Sequence, residues 1–193
     1  RNWATHVTGS NNDFLAARDW ELKSGRRFQE QELRAGLPVC ILGATVAEEL
    51  FGDLPCLGSN FRMGRVSCNI IGVLESKGEA AFGRDQDDLV LAPLHLVQRR
   101  FKGNDDINSF FVSTENGVDT SRVQAEMEVI LRERRRIPEG KDSDFHVRDT
   151  VELAETLTGT TKLLTMLLAA VAAVSLLVGG IGIMNIMLVS VTE

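Results

Sequence analysis

The sequence predicts an α+β fold: a split βαβ unit, a small β-rich subdomain inserted into it, and one long transmembrane helix at the end. Three observations predict it. Residues 163–191 contain no Asp, Glu, Lys, Arg or His. Short apolar runs of strand length, punctuated by glycine, recur through residues 22–105. A strand–helix–strand pattern occupies residues 106–150.

The elements are taken in chain order. Residues 3–9 alternate in part and predict a strand. Asn11, Asn12 and Asp13 are cap-type residues, and a short helix starts at Phe14. Residues 22–28, with Gly25 between polar neighbours, read as a turn, and residues 29–33 as helix or loop. Residues 37–43 form a compact apolar run ending in Gly43, a buried strand. Val46, Leu50 and Phe51 then fall on one helical side. Residues 60–63 and 68–74 read as a hairpin turning at Gly64 and Arg65. Residues 75–88 are glycine-rich and charged, a loop. Residues 89–93 predict a strand and 94–101 a helix. Residues 107–112 predict a strand, Asp119 caps a helix over 120–136, and residues 144–148 alternate as a strand. That last βαβ half buries too little alone, so it is expected to pair with the opening strand and helix. The expected domains are therefore residues 1–21 and 106–150 as one split unit, 22–105 as the insert, and 151–193 as stalk and transmembrane helix. The start at Arg1 and the end without a helix cap predict a piece cut from a longer protein.

The uncharged stretch is 29 residues, about 43 Å as a helix. A bilayer core is about 30 Å thick. The helix is expected to tilt or to continue outward as a stalk through residues 149–158. Ala169 and Ala173, then Ser175 and Gly179, lie four apart, with Gly180 and Gly182 beyond them. Small residues at this spacing predict packing against other membrane helices. Asn185, a polar group in the span, predicts the same. The competing reading is an inert anchor.

All 21 basic residues and all but one of the 27 acidic residues precede this stretch. An acidic body excludes nucleic-acid binding, which needs a basic face, and favours an extracytoplasmic side. Of the three cysteines, Cys40 and Cys68 lie in strand-like runs. They form a disulfide if those strands are neighbours in an oxidising compartment; otherwise they are small buried hydrophobes. The odd count leaves a free thiol. Asp85, Asp87 and Asp88 lack calcium-loop spacing. They read as loop carboxylates bound to backbone N–H groups. His6, His95 and His146 have no partner at zinc-ligand spacing. Residues 132–136, Arg-Glu-Arg-Arg-Arg, suit a helix C-terminus, where cations meet the dipole. No catalytic, metal or phosphate-loop motif appears.

The stretch LAAVAAVSLLVGGIGIMNIMLVSVTE, residues 168–193, resembles the second transmembrane helix of MacB-type ABC transporter permeases, within the FtsX-like permease family. Further similarity lies in Val-Cys-Ile-Leu-Gly at 39–43, Glu-Leu-Phe-Gly at 49–52, Ile-Gly-Val-Leu at 71–74 with Lys77-Gly78, Phe-Gly-Arg-Asp-Gln-Asp-Asp at 82–88, and Pro93-Leu94. The resemblance covers nearly the whole chain. It implies a porter-like periplasmic core split by a small β-rich subdomain, on a permease of the bacterial inner membrane with residues 1 to about 160 in the periplasm. It implies a homodimer working with an ABC ATPase domain or subunit, often with a periplasmic adaptor and an outer-membrane channel. ATP and Mg would bind the ATPase, and no cofactor this stretch. The implied function is part of an efflux permease that couples ATP hydrolysis to periplasmic substrate expulsion by mechanotransmission. The stretch itself would be no enzyme. The rival reading is a membrane-anchored extracytoplasmic sensor or ligand-binding domain.

Overall fold

A six-stranded mixed sheet organises the first part of the chain. The computed structural model describes residues 2–52, 54–80, 83, 85–115, 117–138 and 140–192, and within the last helix the side chains of 156, 158–184 and 187. The described residues fall into two units, Arg1–Ser113 and Thr114–Glu193.

In the first unit the strands are β1 (His6–Ser10), β2 (Leu22–Gly25), β3 (Val39–Leu42), β4 (Asn60–Met63), β5 (Val66–Leu74) and β6 (Leu89–Pro93). Their order is β1-β6-β3-β5-β2, with β4 also paired to β5. β1 runs parallel to β6, and β3 parallel to β5; the other pairs are antiparallel. The helices are α1 (Asp13–Ala17), α2 (Glu30–Ala35), α3 (Ala44–Phe51) and α4 (Leu94–Val97), the last running into a π turn at Gln98–Lys102.

Strand alternation sorts the apolar residues onto two faces. Cys40, Leu42, Cys68, Ile70, Val90 and Ala92 join one buried cluster, with Val46 from α3 and Leu96 from α4. Ile41, Ile71, Leu74, Leu89 and Leu91 join the other, with Leu15, Trp20 and Phe28. The alternation slips once. Cys40 pairs Ile70 but Ile41 pairs Gly72, a bulge that moves Val73 onto the face of Ile70. A bulge is a one-residue insertion that re-aims the side chains beyond it.

Three local expectations differ from the structure. Residues 22–25 are a strand, not a turn, because β5 supplies them with an antiparallel partner. Residues 107–112 and 144–148 form no strand, since among the described residues neither has a ladder to join. β1 instead joins the sheet of residues 22–105 through β6, so that sheet crosses the expected junction at residue 21.

The second unit holds α5 (Thr120–Arg134) and α6 (Thr150–Thr192). Asp119 caps α5 by accepting from the Ser121 N–H at 3.0 Å. Arg132 closes its far end, donating to the Ser143 hydroxyl and to the carbonyls of Pro138 and Lys141. Arg135 pairs with Asp144. The basic run at this helix end therefore works in part as a cap. No described residue of α5 is buried.

Candidate functional site: the long helix, the bridged strands and the acidic loop

The 43-residue helix α6 runs unbroken from Thr150, about 65 Å long at 1.5 Å per residue. Within it Thr158–Met184, 27 residues whose most apolar 18-residue stretch has mean hydropathy 2.4, is long and apolar enough to cross a membrane. Its side chains are all exposed in this chain. The run of leucine, alanine, valine and isoleucine suits lipid or other helices as its solvent.

The six small residues do not lie in one line. At about 100° per residue, Ala169, Ala173 and Gly180 fall within about 40° of each other. Ser175, Gly179 and Gly182 share a second stripe, centred about 130° away. The Ser175 hydroxyl donates back to the Val171 carbonyl at 2.9 Å, so its polarity is satisfied within the helix. A methyl group added at Gly179, Gly180 or Gly182 would meet nothing within 4 Å in this chain. The Asn185 side chain lies outside the described residues.

Cys40 on β3 and Cys68 on β5 are joined as a disulfide, with Cα atoms 6.1 Å apart. Both are fully buried beside the free thiol of Cys56. Burial pushes the Cys56 thiol above its ordinary range, which disfavours the reactive thiolate.

The acidic loop is held by its own carboxylates. Asp87, 2% exposed, accepts from the Ser76 hydroxyl and from the Lys77 and Gly78 N–H groups. Burial works to raise its pKa. The bonds from Lys77, Ser76 and Gly78 outweigh that, and the carboxyl sits below the usual carboxylate range. Asp85 accepts from Thr45 and from the Asp87 N–H, and Asp88 from the Trp3 indole N–H. Gly43 permits the loop's approach, since a methyl group there would lie 2.0 Å from the Asp87 carbonyl oxygen. Phe82 and Arg84 of the same loop lie outside the described residues. Among the described residues no three of His, Cys, Asp or Glu gather as cation ligands. His6, His95 and His146 are exposed and far apart in the chain, and His95 Nδ1 lies 3.1 Å from Gln98 Oε1.

One cluster has no sequence motif. The Arg18 guanidinium lies over the rings of Phe14, Trp20 and Phe111, at 5.7, 5.4 and 5.6 Å from their centres. Lys77 Nζ lies 5.6 Å from the Trp20 ring. The only signal in the sequence is Phe14 and Arg18 one helical turn apart, with Trp20 close by.

Comparison with known proteins adds three findings. The family model of the MacB-like periplasmic core domain matches residues 1–130. The macrolide export ATP-binding/permease protein MacB of Rhodospirillum rubrum is 44% identical over the whole chain, and that of Bdellovibrio bacteriovorus 39%. The chain spans 29% and 30% of those two proteins. Among solved structures, the periplasmic region of MacB from Actinobacillus actinomycetemcomitans aligns with a TM-score of 0.64 at 18% identity, covering 79% of this chain and 64% of that one. The extracellular domain of the ABC-type transporter YknZ from Gram-positive bacteria aligns at 0.57 and 21%, covering 72% and 71%.

Proposed function

The chain belongs to the family of the MacB-like periplasmic core domain, and on that premise we propose that it is the extracytoplasmic domain and adjoining membrane helix of an ABC-type efflux permease. One observation carries the reading. Identity to the macrolide export permeases runs through the entire chain, helix included, and that helix is continuous from Thr150 into its membrane-length segment. A continuous helix transmits displacement along its axis, because each residue is hydrogen-bonded to the next turn. The proposed work is therefore mechanical. Movement driven by ATP hydrolysis on a cytoplasmic ATPase domain or subunit, where ATP and Mg bind, passes along α6 to the domain outside. The two small-residue stripes would each seat a neighbouring helix, one of them from the second copy of a homodimer. The domain of residues 1 to about 160 would stand in the periplasm above the inner membrane, where an adaptor and outer-membrane channel would receive the substrate.

The test uses the full-length transporter. Thr158→Pro breaks the helix where the apolar segment begins, at a cost of about 3 kcal/mol locally. ATP hydrolysis should continue while substrate export falls at least tenfold. Export at the unaltered rate would rule out force transmission through α6.

A further inference from the structure

We propose that Arg18 and Lys77, with the rings around them, form a docking site for an acidic segment of a partner protein, in which a carboxylate stands next to an apolar side chain.

Both cations converge on one indole. Arg18 and Lys77 lie 5.4 and 5.6 Å from the Trp20 ring. That ring is fixed, since Trp20 is 2% exposed and its N–H donates to the Glu75 carbonyl at 2.7 Å. Phe14 and Phe111 meet edge to face at 5.3 Å and complete the cage. Cation–π contacts are worth about 0.5–2 kcal/mol each, enough to orient the guanidinium but short of a buried ion pair.

Among the described residues neither cation has an acid; the ion pairs there involve Arg26, Arg34, Arg122 and Arg135. Arg18 Nη2 donates to the neutral Gln86 Oε1 at 3.0 Å, and Lys77 Nζ to the Arg18 carbonyl at 2.6 Å. Two converging cations satisfied only by neutral acceptors stand out in a chain with 27 acidic and 21 basic residues. Partial burial also lowers the Arg18 pKa, a desolvation cost that an incoming carboxylate would offset. A guanidinium fork matches a carboxylate in plane and spacing.

A tight turn sets this up. Asp19 takes the left-handed conformation at φ 46, which Asp tolerates better than most residues, and the Asp19 and Trp20 N–H groups close the turn on Ala16 and Leu15. An open apolar strip adjoins the cage through Phe111. Phe110 is 67% exposed, and Phe111 and Val112 are more than half exposed. Arg beside exposed aromatics is the composition of an interface anchor. An open strip fits a protein segment better than an enclosed small molecule.

The test is run on the full chain in lipid nanodiscs with Trp3→Phe, which leaves Trp20 as the sole tryptophan. The probe is the peptide acetyl-Phe-Glu-Phe-Glu-amide, compared with its Gln counterpart and with benzoate. The acidic peptide should shift Trp20 emission and bind at least tenfold more tightly than the Gln peptide. Arg18→Gln and Lys77→Gln should each weaken it at least fivefold, with Arg18→Lys intermediate. Should Arg18→Gln fail to fold, Lys77→Gln with unchanged emission in the unbound state decides. Equal binding of the two peptides, or no loss in Lys77→Gln, overturns the proposal. Benzoate binding as tightly as the peptide also overturns it, because the site would then take small anions alone.

Discussion

The sheet unit and the helical unit satisfy their residues in different ways. In residues 1–113 both faces of the sheet are covered from within, by α3 and α4 on one side and by Leu15, Trp20 and Phe28 on the other. Its buried charged groups find partners there too. Asp87 has its loop, and Glu32 has Arg26, whose hydrogen bond holds the Glu32 carboxyl below the ordinary range. In residues 114–193 no residue of α5 is fully buried, Val123, Met127 and Leu131 being half-buried, and the described glycines of α6 face open space. The first unit covers its apolar residues from within. The second leaves the small-residue stripes of α6 open, and the function proposed above gives them neighbouring helices. Substitutions should therefore read out as folding energy in one region and as association in the other.

The sharpest test sets a core residue against a surface one. Ile41→Ala removes buried volume from the central strand β3 and should cost about 2–5 kcal/mol. Val129→Ala in α5, where the side chain is 65% exposed, should stay within about 0.5 kcal/mol. Denaturant unfolding monitored by Trp20 emission measures the first; loss of α5 ellipticity measures the second. Comparable costs would erase the contrast. Next comes the Cys40–Cys68 link between β3 and β5. Reduction of the bond should lower sheet stability by about 2–4 kcal/mol. The same reductant should leave a variant with both cysteines replaced by Ala unmoved. Free thiols at both positions in periplasmic material would exclude the bond.

Legibility in the sequence divides along the same line. β3, α3, β6 and α4 announce themselves because their own side chains carry the period of the structure they form. So does α6, through the absence of charge. β2 does not, because Lys23, Ser24 and Gly25 are strand only by virtue of pairing with β5. Residues 107–112 have strand-like side chains but no ladder among the described residues, so pattern alone misleads. The two stripes on α6 need helical angle rather than spacing: Gly179 and Gly180 are neighbours in sequence and point to different sides. The Arg18 cage is out of reach, since it gathers residues 14, 18, 20, 77, 86 and 111, and only tertiary structure brings them together.

The acidic loop offers a smaller effect with a definite sign. The Asp87 carboxyl is depressed below its unfolded value of about 4. Its contribution is therefore complete above that value and is lost as pH falls through the lower, folded pKa. Asp87→Asn should cost about 1–3 kcal/mol at pH 7, because the Lys77 and Gly78 N–H groups lose a charged acceptor. The gap between parent and variant should close as pH falls below the usual carboxylate range, through the lowered folded pKa. Thermal unfolding at a series of pH values measures this, and a gap independent of pH would show that the carboxylate's charge contributes nothing.

The smallest effect bears on the helix, where folding energy should not move at all. Gly179→Leu and Gly180→Leu add side chains into space that is empty within this chain, so sheet stability should be unchanged. What should change is helix association. Close approach of small residues is a main source of attraction between helices in lipid, and its loss is worth about 1 kcal/mol, or about fivefold in affinity. Because the two glycines lie on different stripes, the variants should fail differently. Gly180→Leu should disrupt the neighbour seated against Ala169 and Ala173, and Gly179→Leu the one seated against Ser175 and Gly182. Energy transfer between labelled chains in bilayers, combined with cross-linking from cysteines placed along each stripe of the full-length protein, separates the two. If both variants associate and cross-link like the parent, the stripes are inert anchor surface, and α6 behaves as a tether with no seated neighbour.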